Sequence, residues 1–258
     1  MICIDQDAIF KEVNDKNPKT VLLNCPEALL QKTQSIASEL QESYGIAAFV
    51  LTDPCYGSCD VVNKDDELLG ADIAFNIGHT VSIPRIGSTL MINAFDDVSF
   101  DEVLNKAVKI LQSYHTVGLA TSSQHIHKIT QVASQLRELG IDAKVGHGKG
   151  QLKDGQVFGC EFYPVFELKD DVDAFAFLGQ SRFHSLGVAL STGKPTFMLD
   201  PYFNQVEDMK KLADDLQKKV LLGVYRAMDA KNFGLIVGLK EGQVLVERSM
   251  ATKRDLEA

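Results

Sequence analysis

The chain has 258 residues, 45% of them hydrophobic and 24% charged, with five cysteines and a formal net charge of −9. That composition supplies a sizeable core and excludes a disordered chain. An acidic surface repels phosphate backbones, which makes free nucleic acid a poor partner, and no apolar run approaches the ~18 residues that a membrane span needs.

The amino terminus, MICIDQDAIFKEV, places acids among its apolar residues and lacks the basic n-region of a secretory signal. A cytoplasmic chain is therefore expected. In that reducing compartment Cys3, Cys25, Cys55, Cys59 and Cys160 read as thiols or metal ligands, not as a disulfide framework. KTVLLNCP (19–26) is a short apolar run suited to a buried strand, and ALLQKTQSIASELQESYG (28–45) has helical spacing with Gly45 as its stop. A second strand, IAAFVLTD, runs into the cysteine-bearing stretch DPCYGSCD (53–60). ADIAFNIGHT (71–80) and STLMINAF (88–95) are strand-like, and SFDEVLNKAVKILQSY (99–114) is a helix for which Ser99 and Glu102 predict a capping box. Alternating strands and helices predict an α/β fold with parallel sheets covered by helices.

The pattern then repeats. TVLLNCP at 20 is echoed 96 residues later by TVGLATS at 116, and IASEL (36–40) by VASQL (132–136). A five-residue insertion around GHGKGQLKDGQ raises the offset to 101, after which Cys59 falls on Cys160, Asp72 on Asp173, and Gly78 on Gly179. A third copy is expected to begin at NFGLIVGL (232–239), with Gly234 in the place of Gly118. A period near 100 residues implies homologous domains, not a solenoid. The expected boundaries are 1–114, 115–218 and an incomplete 219–258.

The repeat singles out Cys59 and Cys160, not Cys55, as equivalent loop residues at the carboxyl ends of equivalent strands, the edge where open α/β sheets bind ligands. If such units pack about a pseudo-threefold axis, each can offer one thiolate to a shared centre, a donor set that suits an iron–sulfur cluster with one open iron. Free cysteine is also among the most buried residue types, so packing stands beside ligation as a reading of each thiol. GHGKG (146–150) is glycine-rich and basic, but no GKS or GKT follows, and a phosphate loop is not assigned.

DPCYGSCD closing the second strand, the later Gly159-Cys160, and FLGQSRFHSLG (177–187) followed by KPTFMLDPY (194–202) together resemble the archaeal enzymes that start diphthamide synthesis, the 2-(3-amino-3-carboxypropyl)histidine synthases. The resemblance runs along the whole chain in order. It implies a homodimer of three similar α/β domains per subunit around one 4Fe-4S cluster, with one cysteine from each domain. Cys59 and Cys160 are then the first two ligands. The third, by the repeat arithmetic, falls at roughly 271 to 276, so the sequence reads as an amino-terminal fragment or, as the alternative, a short variant that has lost the ligand.

The resemblance further implies radical transfer of a 3-amino-3-carboxypropyl group from S-adenosylmethionine to a histidine of translation elongation factor 2, with an electron donor as a further partner. Gly179, Gln180, Ser181, Arg182 and His184 are the segment where the carboxylate of S-adenosylmethionine is expected to be held, and Gly78 and His79 are its counterpart. Pairing of Arg182 with a nearby acid is the competing expectation. Quinolinate synthase shares the three-unit, three-cysteine plan, though the quoted strings favour the diphthamide enzymes. A non-catalytic iron–sulfur subunit is the other alternative.

Overall fold

A computed structural model of the chain describes residues 2–57, 60, 70–238 and 245–257. In chain order the described strands and helices are β1 (Ile2–Ile4), α1 (Gln6–Lys16), β2 (Thr20–Asn24), α2 (Leu30–Tyr44), β3 (Ala47–Val50), β4 (Ile73–Ile77), β5 (Arg85–Ile86), β6 (Thr89–Ile92), β7 (Ala94–Asp96), α3 (Asp101–Leu111), β8 (Thr116–Thr121), α4 (Ile129–Glu138), β9 (Asp142–Val145), α5 (Tyr163–Leu168), β10 (Ala174–Leu178), α6 (Arg182–Thr192), β11 (Thr196–Asp200), β12 (Gln205–Asp208), α7 (Lys210–Ala227) and α8 (Val246–Glu257). Among the described residues no helix is long and apolar enough to cross a membrane. The chain divides into two compact units, one of residues 1–17, 77–86 and 90–215, the other of residues 18–76, 87–89 and 216–258.

In the larger unit the sheet order is β12-β11-β10-β8-β9. β9, β8, β10 and β11 run parallel, and only β12 is antiparallel. Strand β10 reads AFAFL, and its alternation decides what each face packs against. Ala174 and Ala176 share a core with Val103, Leu104 and Ala107 of α3 and with Val132 and Leu136 of α4. Phe175 and Phe177 share the opposite core with Val165 of α5 and Val188 of α6. Small residues on one face and large ones on the other let helices cover both sides of the sheet, as its near-continuous apolar strands require. Gly118 of β8 lies in register with Phe175, and a Cβ there would sit 2.4 Å from the Phe175 ring. The glycine in TVGLATS is thus room for a neighbouring aromatic side chain.

In the smaller unit β2 pairs in parallel with β3 on one side and β4 on the other, and α2 buries Thr33, Ile36, Ala37 and Leu40. Gly45 ends α2 in the left-handed conformation at φ 68°, as its place in the sequence predicts.

The duplication read from the sequence appears as duplicated bonding. The Asp72 carboxylate accepts from the N–H groups of Lys19 and Thr20 at 2.8 and 2.9 Å. In the larger unit the Asp173 carboxylate accepts from His115 and Thr116 at 2.9 and 3.0 Å. Each aspartate thereby fastens the start of one strand to the start of the strand beside it. The two backbone N–H donors, Thr20 first, hold the Asp72 carboxyl below the usual carboxylate range. An α/β fold with a repeated parallel sheet is therefore what the chain adopts.

Two local expectations are corrected. No capping box forms at α3: Ser99 Oγ accepts from the N–H of Asp101 at 3.1 Å, while Glu102 accepts from the side chain of Asn204 at 2.6 Å. A partner distant in sequence has taken the carboxylate that the local motif would use. Of NFGLIVGL (232–239), where a third copy is expected to begin, the described residues 232–238 hold no regular secondary structure, and Ile236 is 98% exposed. An extended segment gains ladder bonds only beside another strand. Neither α7 nor α8 buries a residue.

Candidate functional site

The carboxyl edge of the larger unit's sheet carries most of the residues singled out from the sequence. Val157 N–H donates to Thr121 O at 2.9 Å, so the chain continues beside the last residue of β8 before reaching Cys160, which is exposed. Phe158 N–H donates to Glu161 O at 2.9 Å, closing the turn that holds Gly159 and Cys160. Two glycines let this turn lie close against α6. A Cβ at Gly159 would stand 2.0 Å from the Phe183 ring, and one at Gly187 would stand 2.3 Å from the Phe162 ring. Cys160 and the Gly179–His184 segment are thereby brought together, with Phe183 as the contact and 68% exposed.

Gly179 follows β10 at φ 132°, a conformation that other residues rarely adopt. Its N–H donates to Leu199 O at 3.0 Å. Gly78 repeats the device after β4, with φ 93° and a 2.9 Å bond from its N–H to Ile92 O. Each glycine turns the chain sharply off the end of a strand. Gln180 is exposed. Ser181 caps α6, and its hydroxyl lies 2.7 Å from Nδ1 of His184. The His184 ring stacks parallel to Phe177 at 6.1 Å, and burial holds its pKa below the ordinary value. Arg182 pairs through Nε with Glu207 at 2.9 Å, so the competing expectation of an acid partner is met, although the guanidinium is held at the edge by that bond. His79 is half-buried beside Gly78.

In the smaller unit the Asp60 carboxylate accepts from Tyr56 N–H at 2.7 Å and Gly57 N–H at 3.1 Å. Asn24, at the end of β2, donates to Asp60 O at 2.8 Å. These bonds fasten Tyr56, Gly57 and Asp60 to the carboxyl end of their sheet. Cys59 lies outside the described residues. Cys55 is buried, in keeping with a packing role, and burial pushes the Cys25 thiol up. Among the described residues no group of three or more His, Cys, Asp or Glu side chains is placed to hold a metal.

Three residues of this edge were not legible beforehand. Glu207 and Gln156 are joined to it by contacts distant in sequence, and Gln156 lies where the two units differ in length. His125, only 1% exposed, sits with its ring carbon 3.1 Å from where a Gly179 Cβ would be. Its Nε2 is 3.5 Å from the Tyr202 hydroxyl, which donates to Asp96 at 2.6 Å. Burial outweighs the pull of Asp96 and lowers the His125 pKa to about 4. A histidine that titrates lower in the folded state than in the unfolded one favours unfolding as acid is added. Its penalty is absent above the unfolded value near 6.5 and grows as pH falls toward about 4. His125 by itself is expected to lower the stability measured in urea by roughly 3 kcal/mol across that window. That share is expected to disappear in His125→Gln, leaving the part of the acid slope that His127, His184 and the aspartates with lowered pKa values supply; an unchanged slope would refute the assignment.

A family model described as putative diphthamide synthesis protein matches residues 25–257. The 2-(3-amino-3-carboxypropyl)histidine synthase of Pyrococcus horikoshii is 30% identical over 247 residues, covering 93% of this chain and 70% of that enzyme. The chicken (Gallus gallus) protein named subunit 1 of that synthase is 27% identical, over 88% of this chain and 55% of that one. The human subunit 1 is 26% identical, over 88% and 52%. The chain thus spans about half the length of these two animal relatives. The crystal structure of Dph2 from Pyrococcus horikoshii with a 4Fe-4S cluster superposes with a TM-score of 0.91 at 28% identity, covering 100% of this chain and 76% of that one. Agreement in sequence over almost the whole length, and in fold over all of it, makes this chain a member of the diphthamide synthesis family.

Proposed function

We propose that the chain acts in the first step of diphthamide synthesis, the transfer of a 3-amino-3-carboxypropyl group from S-adenosylmethionine to a histidine of elongation factor 2. The observation that carries this reading is the exposed thiol of Cys160 at a carboxyl sheet edge, in a chain whose solved relative contains a 4Fe-4S cluster. The residues present fit such a group. Cys160 supplies a soft thiolate donor, and Cys59, its repeat counterpart, supplies a second. The loop after Gly78 adds a buried Thr80 hydroxyl with no hydrogen-bond partner among the described residues, a polar atom left for a small bound species. When bound, the cluster supplies one electron to the sulfonium of S-adenosylmethionine.

The remaining work belongs to the protein. Gly179 turns the backbone so that Gln180 and Ser181 stand at the sheet edge before α6, and Arg182, steadied by Glu207, offers the charge that a substrate carboxylate needs. Burial holds the His184 pKa below its ordinary value, which favours the neutral ring, and Ser181 holds that ring in place. The same proposal takes the domain boundaries to lie near 114 and 218, and the protein to work as a cytoplasmic homodimer fed by an external electron donor.

The test is anaerobic reconstitution of the full-length protein with iron and sulfide, then incubation with dithionite, S-adenosylmethionine and elongation factor 2. One aminocarboxypropyl group per factor is expected by intact mass, dependent on all three additions. Transfer that persists without iron and sulfide, or no transfer by a chain that has taken up iron, would refute the reading.

A further inference from the structure

The loop GHGKGQLKDGQ (146–156), around which the second sequence repeat carries its five-residue insertion, ends in Gln156, a fully buried amide. Its Nε2 donates to Thr80 O at 2.6 Å and lies 3.5 Å from Ser123 Oγ. Its Oε1 accepts from Lys153 N–H at 2.9 Å. One side chain therefore ties together the loop after Gly78, the turn after β8 and its own loop. The neighbouring backbone reinforces the tie: Ser82 N–H donates to Gln151 O at 2.8 Å, and the Ser82 hydroxyl donates to Gly150 O at 2.6 Å. Immediately beyond Gln156 the chain bonds to Thr121 and runs four residues to Cys160. A buried amide that loses its partners is costly, so this network has few ways to rearrange.

We infer that Gln156 is a positioning residue for Cys160, holding the ligand loop and the Gly78–Ser82 loop in one fixed arrangement. The inference rests on the reading of Cys160 as a cluster ligand. Groups that orient a ligand without touching the metal commonly change metal retention by ~10- to 100-fold. Gln156→Met keeps the length and packing of the side chain while removing all three polar contacts. Gln156→Glu keeps the bond from Lys153 and removes both donors, and serves if the first variant fails to fold.

Two measurements on the full chain test this, with Cys160→Ala as the control. In the metal-free protein, hydrogen exchange across 157–162 is expected to be at least ~10-fold faster in either variant than in wild type, with little change in β10 or β11. In the reconstituted protein, release of iron to a chelator is expected to be ~10-fold faster or more. Unchanged exchange in 157–162, or wild-type iron release from variants that exchange faster, would overturn the role of Gln156. Wild-type iron retention by Cys160→Ala would instead overturn the reading of Cys160 as a ligand, and the inference would fall with it.

Discussion

Cys160→Ala is expected to abolish the iron–sulfur absorbance near ~400 nm after reconstitution and to reduce aminocarboxypropyl transfer to background, while leaving the fold intact. The two halves of that expectation have different causes. The thiol is exposed at the rim of the sheet, so its loss removes almost no buried surface, and exposed substitutions of this kind usually change stability by less than ~0.5 kcal/mol. A cluster held by three thiolates cannot replace one of them with a methyl group. Cys55→Ala is the informative companion. Cys55 is buried, so its truncation should lower stability and leave the absorbance in place. The opposite pattern, with absorbance lost in Cys55→Ala and kept in Cys160→Ala, would transfer the ligand role.

Phe175→Ala is expected to cost roughly 3 to 5 kcal/mol, the usual range for emptying a core aromatic site. A fall in Tm of about 10 °C would accompany it for a chain of this size. The ring is fully buried against Val165, Val188 and Met198, and it lies over Gly118, where no side chain can move in to fill the space. Gly118→Ala by itself is expected to destabilise by about 1 to 3 kcal/mol through overpacking against the same ring. Combined with Phe175→Ala, the added methyl meets a cavity instead of a ring, so the double variant should be more stable than the sum of the two single costs predicts. Additive costs, measured by urea denaturation, would show that the ring and the glycine are not in contact.

The parts of the fold that could be read from the sequence are those encoded by spacing. The pairs Asp72 with Asp173 and Gly78 with Gly179 recur at one offset, and each pair makes the same backbone contacts in the folded chain. Helix α2 was legible because its apolar period and its Gly45 stop are both local signals. What escaped was set by contacts distant in sequence. Glu102 was claimed by Asn204, Arg182 by Glu207, and Gln156 by Thr80; no local rule ranks these partners above nearer ones. The three-residue strand β1 escaped as well, since so short a run carries too few residues to show a period. At the candidate site the sequence identified Cys160 and the Gly179 turn, whereas the Phe183 contact that brings them together depends on how α6 lies against the loop.

The pairing of β1 with β7 sets a condition on vectorial synthesis. Ile2 is in register with Asp96, and Ile4 with Ala94, while Asp5 N–H reaches Asn93 O at 2.9 Å. Residues 2–4 must therefore wait for partners translated about ninety residues later, and until then they travel as an unclaimed strand open to promiscuous pairing. Loss of residues 2–4, or a bulky insertion directly beside Ile2, would strike the nascent protein at this late closure.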